Sequence, residues 1–159
     1  MKEIVELLKL KNKTISTMES CTGGGLVNEI TNIEGASDVI KFSAVTYSNE
    51  YKIKMGVSKD IIDKYSVYSI ETAREMAFNI SKFASSSFGT GITGKLNRVD
   101  ENNMFGSDNI VYISIYDSEN DKYYDKRIEV NNYSRKDNKE LVIEEVEKML
   151  SNILKINRK

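Results

Sequence analysis

Apolar residues along this chain recur in two periods, and the alternation between them outlines the fold. Ile4, Val5, Leu7, Leu8 and Leu10 form a roughly helical stripe, which predicts a helix over residues 2–11. Thr14 to Met18 follows as a short β-prone run, and Gly23-Gly24-Gly25 leads into a second helix over Leu26 to Thr31. The order is strand, tight turn, helix, with Glu19-Ser20-Cys21-Thr22 at the turn. Val39 to Tyr47 is rich in β-branched and aromatic residues and predicts a strand. Asn49 to Met55 and Ser58 to Tyr65 predict two short helices, the second capped by Ser58 with Ile61-Ile62 on its apolar side. The clearest helix covers residues 69–84. Ser69 can cap it, Thr72 stands where a capping box prefers Glu or Gln, and Met76, Ile80 and Phe83 recur at helical spacing.

Phe88 to Ile92 predicts a short strand. Gly94 to Asn109 is polar and reads as a loop, long enough in a compact domain to point to function or mobility. Ile110 to Tyr116 predicts a strand, with Lys122 to Val130 as its hairpin partner across Ser118-Glu119-Asn120-Asp121. From Ser134 onward, Leu141, Val142, Val146, Met149, Leu150 and Ile153 share one face of a long helix. Strands alternate with helices early and close in a hairpin late, with no internal repeat or linker. This pattern predicts an α/β fold: a three-layer α/β/α sandwich with a mixed β-sheet, built as one domain over residues 1–159.

Composition narrows the functions open to such a domain. Lys and Arg number 23 against 24 Asp and Glu, so the basic excess expected of a nucleic-acid binder is missing. No apolar run is long enough to span a membrane. The start, Met1-Lys2-Glu3-Ile4-Val5-Glu6, is an amphipathic helix with acids in it, unlike a signal peptide. A single cysteine, Cys21, excludes an internal disulfide and a cysteine-based zinc cluster. The expectation is a cytoplasmic protein with no nucleic-acid or membrane partner. Histidine is absent, which removes Ser-His-Asp and Cys-His machinery and leaves acid–base work near neutral pH to Lys, Tyr, Asp, Glu or water.

Four clusters carry candidate chemistry. In Glu19-Ser20-Cys21-Thr22-Gly23-Gly24-Gly25, a serine stands after a strand and before a Gly-rich helix start. Glycines let the backbone approach a ligand, and free helix N–H groups favour developing negative charge. A helix N-cap followed by a flexible turn accounts for the same residues. In Thr46-Tyr47-Ser48-Asn49-Glu50-Tyr51-Lys52, a strand end runs into a helix, where sites in α/β sheets commonly form. Tyr47 and Lys52 could point into one cleft there, and a lysine made neutral by burial can take a serine's proton. The alternative is a solvated helix face shared with Lys54. Gly89-Thr90-Gly91-Ile92-Thr93-Gly94 is either a phosphate cradle or a plain turn. Arg127 and Ser134-Arg135-Lys136 offer cations for a phosphate, or a solvent-facing helix start that includes Lys139.

Taken in order, these segments resemble a known family. Glu19 to Gly24 looks like the ESCTGG signature of the CinA C-terminal domain family, the nicotinamide-mononucleotide deamidases. Val45 to Lys52 resembles its VTYSNEAK signature, with Tyr51 where alanine is usual. Val67 to Ala77 is similar to its VSEEVAREMA helix, Thr90 to Gly94 sits where TGIAG would be, and Arg135 falls where members carry an arginine at the start of the last helix. The likeness covers nearly the whole chain. It implies hydrolysis of the carboxamide of nicotinamide mononucleotide to nicotinic acid mononucleotide and ammonia in pyridine-nucleotide recycling, with no metal and no cofactor. Carried onto matching positions, Ser20 is the nucleophile, Lys52 the general base and Tyr47 a hydroxyl partner. Thr22, Gly23, Gly24, Thr90, Gly91, Arg98 and Arg135 are the expected substrate-binding residues. Amides of the Gly23-Gly24 turn are one candidate oxyanion hole.

The chain departs from the family after TGIAG, where Pro and a Gly-rich loop are usual and Lys95-Leu96-Asn97-Arg98-Val99-Asp100 stands here. Arg98 either replaces a phosphate contact or is a solvated loop residue. The departure keeps two alternatives open: a hydrolase of another small amide or nucleotide, and a non-catalytic nucleotide-binding or partner-binding domain of the same fold. The length implies the stand-alone form, without the larger N-terminal domain of full-length CinA proteins. A homodimer is expected only from the prevalence of two-fold dimers.

Overall fold

In the computed structural model, residues 1–132 and 134–156 are described. Their elements follow as α1 (Lys2–Leu10), β1 (Ile15–Glu19), α2 (Gly25–Thr31), β2 (Ile40–Val45), α3 (Asn49–Lys54), α4 (Lys59–Tyr65), α5 (Ile70–Ala84), β3 (Phe88–Gly94), β4 (Ile110–Asp117), β5 (Lys122–Glu129) and α6 (Arg135–Ile156). One mixed sheet runs in the order β2-β1-β3-β4-β5. The first three strands are parallel, β4 pairs antiparallel with β3, and β5 pairs antiparallel with β4. Helices α1, α2 and α6 cover one face, around Leu8, Leu26, Ile92 and Val146. Helices α4 and α5 cover the other, around Met18, Ile62, Met76 and Ile80. The expected three-layer α/β/α arrangement is therefore what the chain forms.

Burial on both faces explains the character of the inner strands. Every residue of β1 and of β3 is buried, so neither shows the alternation of a half-exposed strand. Glycines in β3 serve packing. A Cβ on Gly89 would lie 2.0 Å from the Ala77 carbonyl oxygen, and one on Gly91 would lie 2.2 Å from that of Ala73. With only hydrogen at these positions, α5 lies directly on β3. The start of α5 is fixed by Ser69, whose hydroxyl accepts from the Thr72 amide at 3.1 Å. Ser58 occupies the corresponding position of α4 but makes no side-chain cap bond.

Two apolar residues depart from the pattern. Leu10 is exposed, so the stripe of α1 closes at Leu8. Phe83 is exposed too, on the outer side of α5, with its ring 4.9 Å from that of Phe42 on the edge strand β2.

The strand order decides where a site can form. From β1 the chain crosses to β2 on one side and reaches β3 on the other. The carboxyl ends of these three strands therefore flank a switch point, where the loops diverge and leave a crevice.

Candidate active site

Ser20 is the first residue after β1, and its position is set by the backbone. Its amide donates to the Ile92 carbonyl of β3 at 3.1 Å, while the Thr46 amide at the end of β2 donates to the Glu19 carbonyl at 2.8 Å. The three strand ends are thus tied together around the serine. Lys52 arrives from α3, whose N-cap Ser48 accepts from the Tyr51 amide. Its side chain is only 2% exposed. The Lys52 Nζ lies 3.0 Å from Ser20 Oγ and donates to the Thr46 carbonyl at 2.7 Å. Burial disfavours the ammonium form and lowers the Lys52 pKa to about 8, against partial opposition from the Asp100 carboxylate. Next to Ser20, burial pushes the Cys21 thiol up to about 12, so the thiol stays protonated.

These groups open into a cavity of about 650 Å³, within the range of small-molecule sites. Ser20 and Cys21 line it from the β1 end, Tyr47 and Asn49 from the β2 end, and Gly94 and Lys95 from the β3 end. Much of the remaining wall comes from residues 95–103 with Val67, Tyr68 and Arg135, and it is a connected structure. The Tyr68 hydroxyl donates to Asp100, the Asn103 side-chain amide donates to Asp100 at 3.0 Å, and Asn49 donates to Asn103 at 3.0 Å. Lys95 is buried, 3.1 Å from Asp108, with Nζ 5.3 Å from the Tyr68 ring centroid. The bond from Tyr68 holds the Asp100 carboxyl below its ordinary pKa.

Of the residues expected from the sequence, Ser20, Lys52, Tyr47, Arg98 and Arg135 line this cavity together. Tyr47 is exposed, and its hydroxyl accepts from the Arg135 guanidinium at 3.3 Å, which ties it to the rim. Thr22, Gly23, Gly24, Thr90 and Gly91 are not among the lining residues. Thr22 is buried and donates to Glu19 at 2.7 Å. Gly23 and Gly24 take left-handed φ values of 61° and 89°, which glycine adopts without strain, and they bend the turn rather than contact the cavity. Thr90 is fully buried within β3, and Gly91 backs onto α5. Of the amides of the expected oxyanion hole, that of Gly23 donates to the Ser20 carbonyl at 2.9 Å.

A family model for the CinA C-terminal domain matches residues 1–154. The chain belongs to the CinA C-terminal domain family. A relative from Thermoanaerobacter pseudethanolicus, named for competence and damage induction, is 41% identical over 133 residues, covering 80% of this chain and 31% of its own length. One from Kosmotoga olearia, a CinA-like protein, is 46% identical over 92 residues, 57% of this chain and 22% of the relative. The chain thus spans a third or less of these curated relatives. A CinA-superfamily crystal structure from Klebsiella pneumoniae shares the fold with a TM-score of 0.88 at 18% identity, covering 96% of this chain and 94% of that one. The crystal structure of a competence/damage-inducible protein, CihA, from Agrobacterium tumefaciens does so with 0.81 at 23%, covering 98% and 92%.

In this CinA domain the residue that sequence reasoning left without a role is Glu19. It is completely buried, and its carboxylate accepts from Thr17 at 3.1 Å, Thr22 at 2.7 Å and the Leu26 and Val27 amides at 2.9 Å each. An acid directly before the serine is visible in the sequence. That it reaches forward seven and eight residues to cap α2 is a property of the folded turn. Asp100, inside the divergent loop, had no sequence cue beyond its charge.

Proposed function

We propose that this CinA domain is an amidohydrolase that cleaves the carboxamide of nicotinamide mononucleotide through Ser20 and Lys52. The observation that carries this reading is the 3.0 Å approach of a buried lysine amine, with its pKa brought down to about 8, to the hydroxyl of Ser20. At pH 7 roughly a tenth of such an amine is neutral, enough to act as a base without histidine.

The neutral Nζ takes the Ser20 hydroxyl proton as Oγ bonds to the amide carbon. The carbonyl becomes an oxyanion, for which the Cys21 amide, next to the nucleophile, is the donor assigned here. The oxyanion collapses, the C–N bond breaks, and the proton held by Lys52 passes to the departing nitrogen to give ammonia. Lys52 then takes a proton from water, whose oxygen attacks the ester. The ester C–O bond breaks, and Ser20 recovers its proton. The Thr46 carbonyl, by accepting from Nζ, orients the amine so that its lone pair is directed at Oγ. Arg98 and Arg135 at the rim suit the phosphate of the nucleotide.

The test is ammonia release from nicotinamide mononucleotide by the purified chain, beside Ser20→Ala. The expected loss on substitution is at least ~100-fold. The kcat/KM of the unaltered chain should rise with pH to a plateau, with its midpoint at about 8, where Lys52 loses its proton. Near-normal turnover by Ser20→Ala removes the serine from the mechanism. A second reading, hydrolysis of a related small amide, is favoured by the wall over residues 95–103. Release from another amide alone would select it.

A further inference from the structure

Asp100 lines the same cavity as Ser20 and Lys52, and its carboxylate is held from three directions. The Tyr68 hydroxyl and the Asn103 side-chain amide donate to one oxygen, and the Asn102 backbone amide donates to the other at 3.0 Å. A carboxylate offers about four acceptor positions, so one remains for a ligand. The group is half-buried and ionised. Its charge works against the neutral form of Lys52. A cation entering the cavity would satisfy the carboxylate and, as a like charge, press Lys52 toward its free amine.

The other charges lining the cavity complete the pattern. Lys95 is paired with Asp108 and also draws on Asp100, Glu101 adds a second carboxylate beside it, and Arg98 and Arg135 supply the remaining cations. A ligand that is positive at its reacting ring and negative at its far end finds an opposite charge at both.

We propose that Asp100 is the specificity-determining residue of this cavity, selecting a carboxamide carried on a cationic heterocycle over the same carboxamide on a neutral ring. This rests on the reading of the site as an amidohydrolase of a pyridinium nucleotide, and it adds the property of that ring by which the substrate is recognised.

Binding without turnover tests it. Ser20→Ala protein is titrated calorimetrically with nicotinamide mononucleotide and with its reduced form, whose ring is uncharged. The same titrations are run with Asp100→Asn, Asp100→Glu and Tyr68→Phe added separately. Two opposite charges at contact range in a partly solvated site predict a preference of about tenfold for the cationic form. Asp100→Asn should bring the preference close to unity, and Asp100→Glu should restore much of it. Tyr68→Phe removes a tether but keeps the charge, so the preference should survive within about threefold. A preference untouched by Asp100→Asn, or lost equally in Tyr68→Phe, overturns the proposal, as does failure of the cationic nucleotide to bind.

Ammonia release by the unaltered chain separates this inference from the reading beneath it. Release without a charge-dependent preference sinks the role of Asp100 alone. The expected preference without release supports that role and sinks only the hydrolysis.

Discussion

Replacing Lys52 with methionine should make the protein inactive and, at neutral pH, more stable. The side chain is 2% exposed, and its pKa falls from an ordinary 10.5 to about 8. The difference, 10.5 − 8 = 2.5 pH units at 1.36 kcal/mol each, amounts to about 3 kcal/mol that the folded state spends keeping a protonatable amine in an apolar place. Because the folded pKa lies below the unfolded one, this cost is complete below pH 8 and fades as pH rises to 10.5. Stability of the lysine protein should therefore climb through that window relative to the variant. Methionine keeps the unbranched length without the charge. It leaves the Thr46 carbonyl and the Ser20 hydroxyl without their partner, at about 2 kcal/mol in all. Lys52→Met should then be more stable by about 1 kcal/mol at pH 7 and less stable by about 2 kcal/mol at pH 10.5. Urea unfolding of both proteins across this range measures the difference directly. A difference that stays flat from pH 7 to 10.5 would show that the amine is not held neutral inside the fold, and the catalytic argument would lose its base.

Three further outcomes follow from the same geometry. Cys21→Ser should keep turnover within about tenfold, since a thiol pushed up to about 12 supplies no thiolate; near-complete inactivation would transfer the nucleophile's role to Cys21. Glu19→Ala removes the acceptor of the Thr22 hydroxyl and of two α2 amides, so chemical denaturation should show a loss of at least ~3 kcal/mol; a loss below ~1 kcal/mol would mean that the carboxylate does not hold the turn. Gly91→Ala should cost about 2 kcal/mol in the same assay by driving a methyl into the Ala73 carbonyl, whereas unchanged stability would remove the packing account of that glycine.

The course of the chain was largely legible because most of its determinants are local. The Ser69 cap and the Met76–Ile80 spacing define α5 without reference to any other element. The Gly-rich turn after a β-prone run placed Ser20 at a strand end. What could not be read was which face of a segment meets what. Thr90 and Gly91 belong to a glycine-rich stretch that could equally admit a phosphate or a helix, and only the position of α5 decides between them. Phe83 keeps helical spacing yet lies outside the core, because its side of α5 meets the exposed Phe42 of β2 rather than the buried cluster. Ser20 and Lys52 stand 32 residues apart, and their meeting depends on β1 and β2 being neighbours in the sheet. The roles of Glu19 and Asp100 depend on donors brought from other segments by folding.

The cap that Glu19 places on α2 has a consequence for how an anionic nucleotide can be held. Helix beginnings often grip phosphate through bare main-chain amides, but here the protein's own carboxylate already fills that seat. On the proposed reading, recognition of a doubly charged tail would be left to long arginine arms at the mouth, whose pull would fade as salt accumulates around them. Ionic strength would then govern how firmly the tail is grasped, and would leave the sheltered Ser20 and Lys52 pair untouched.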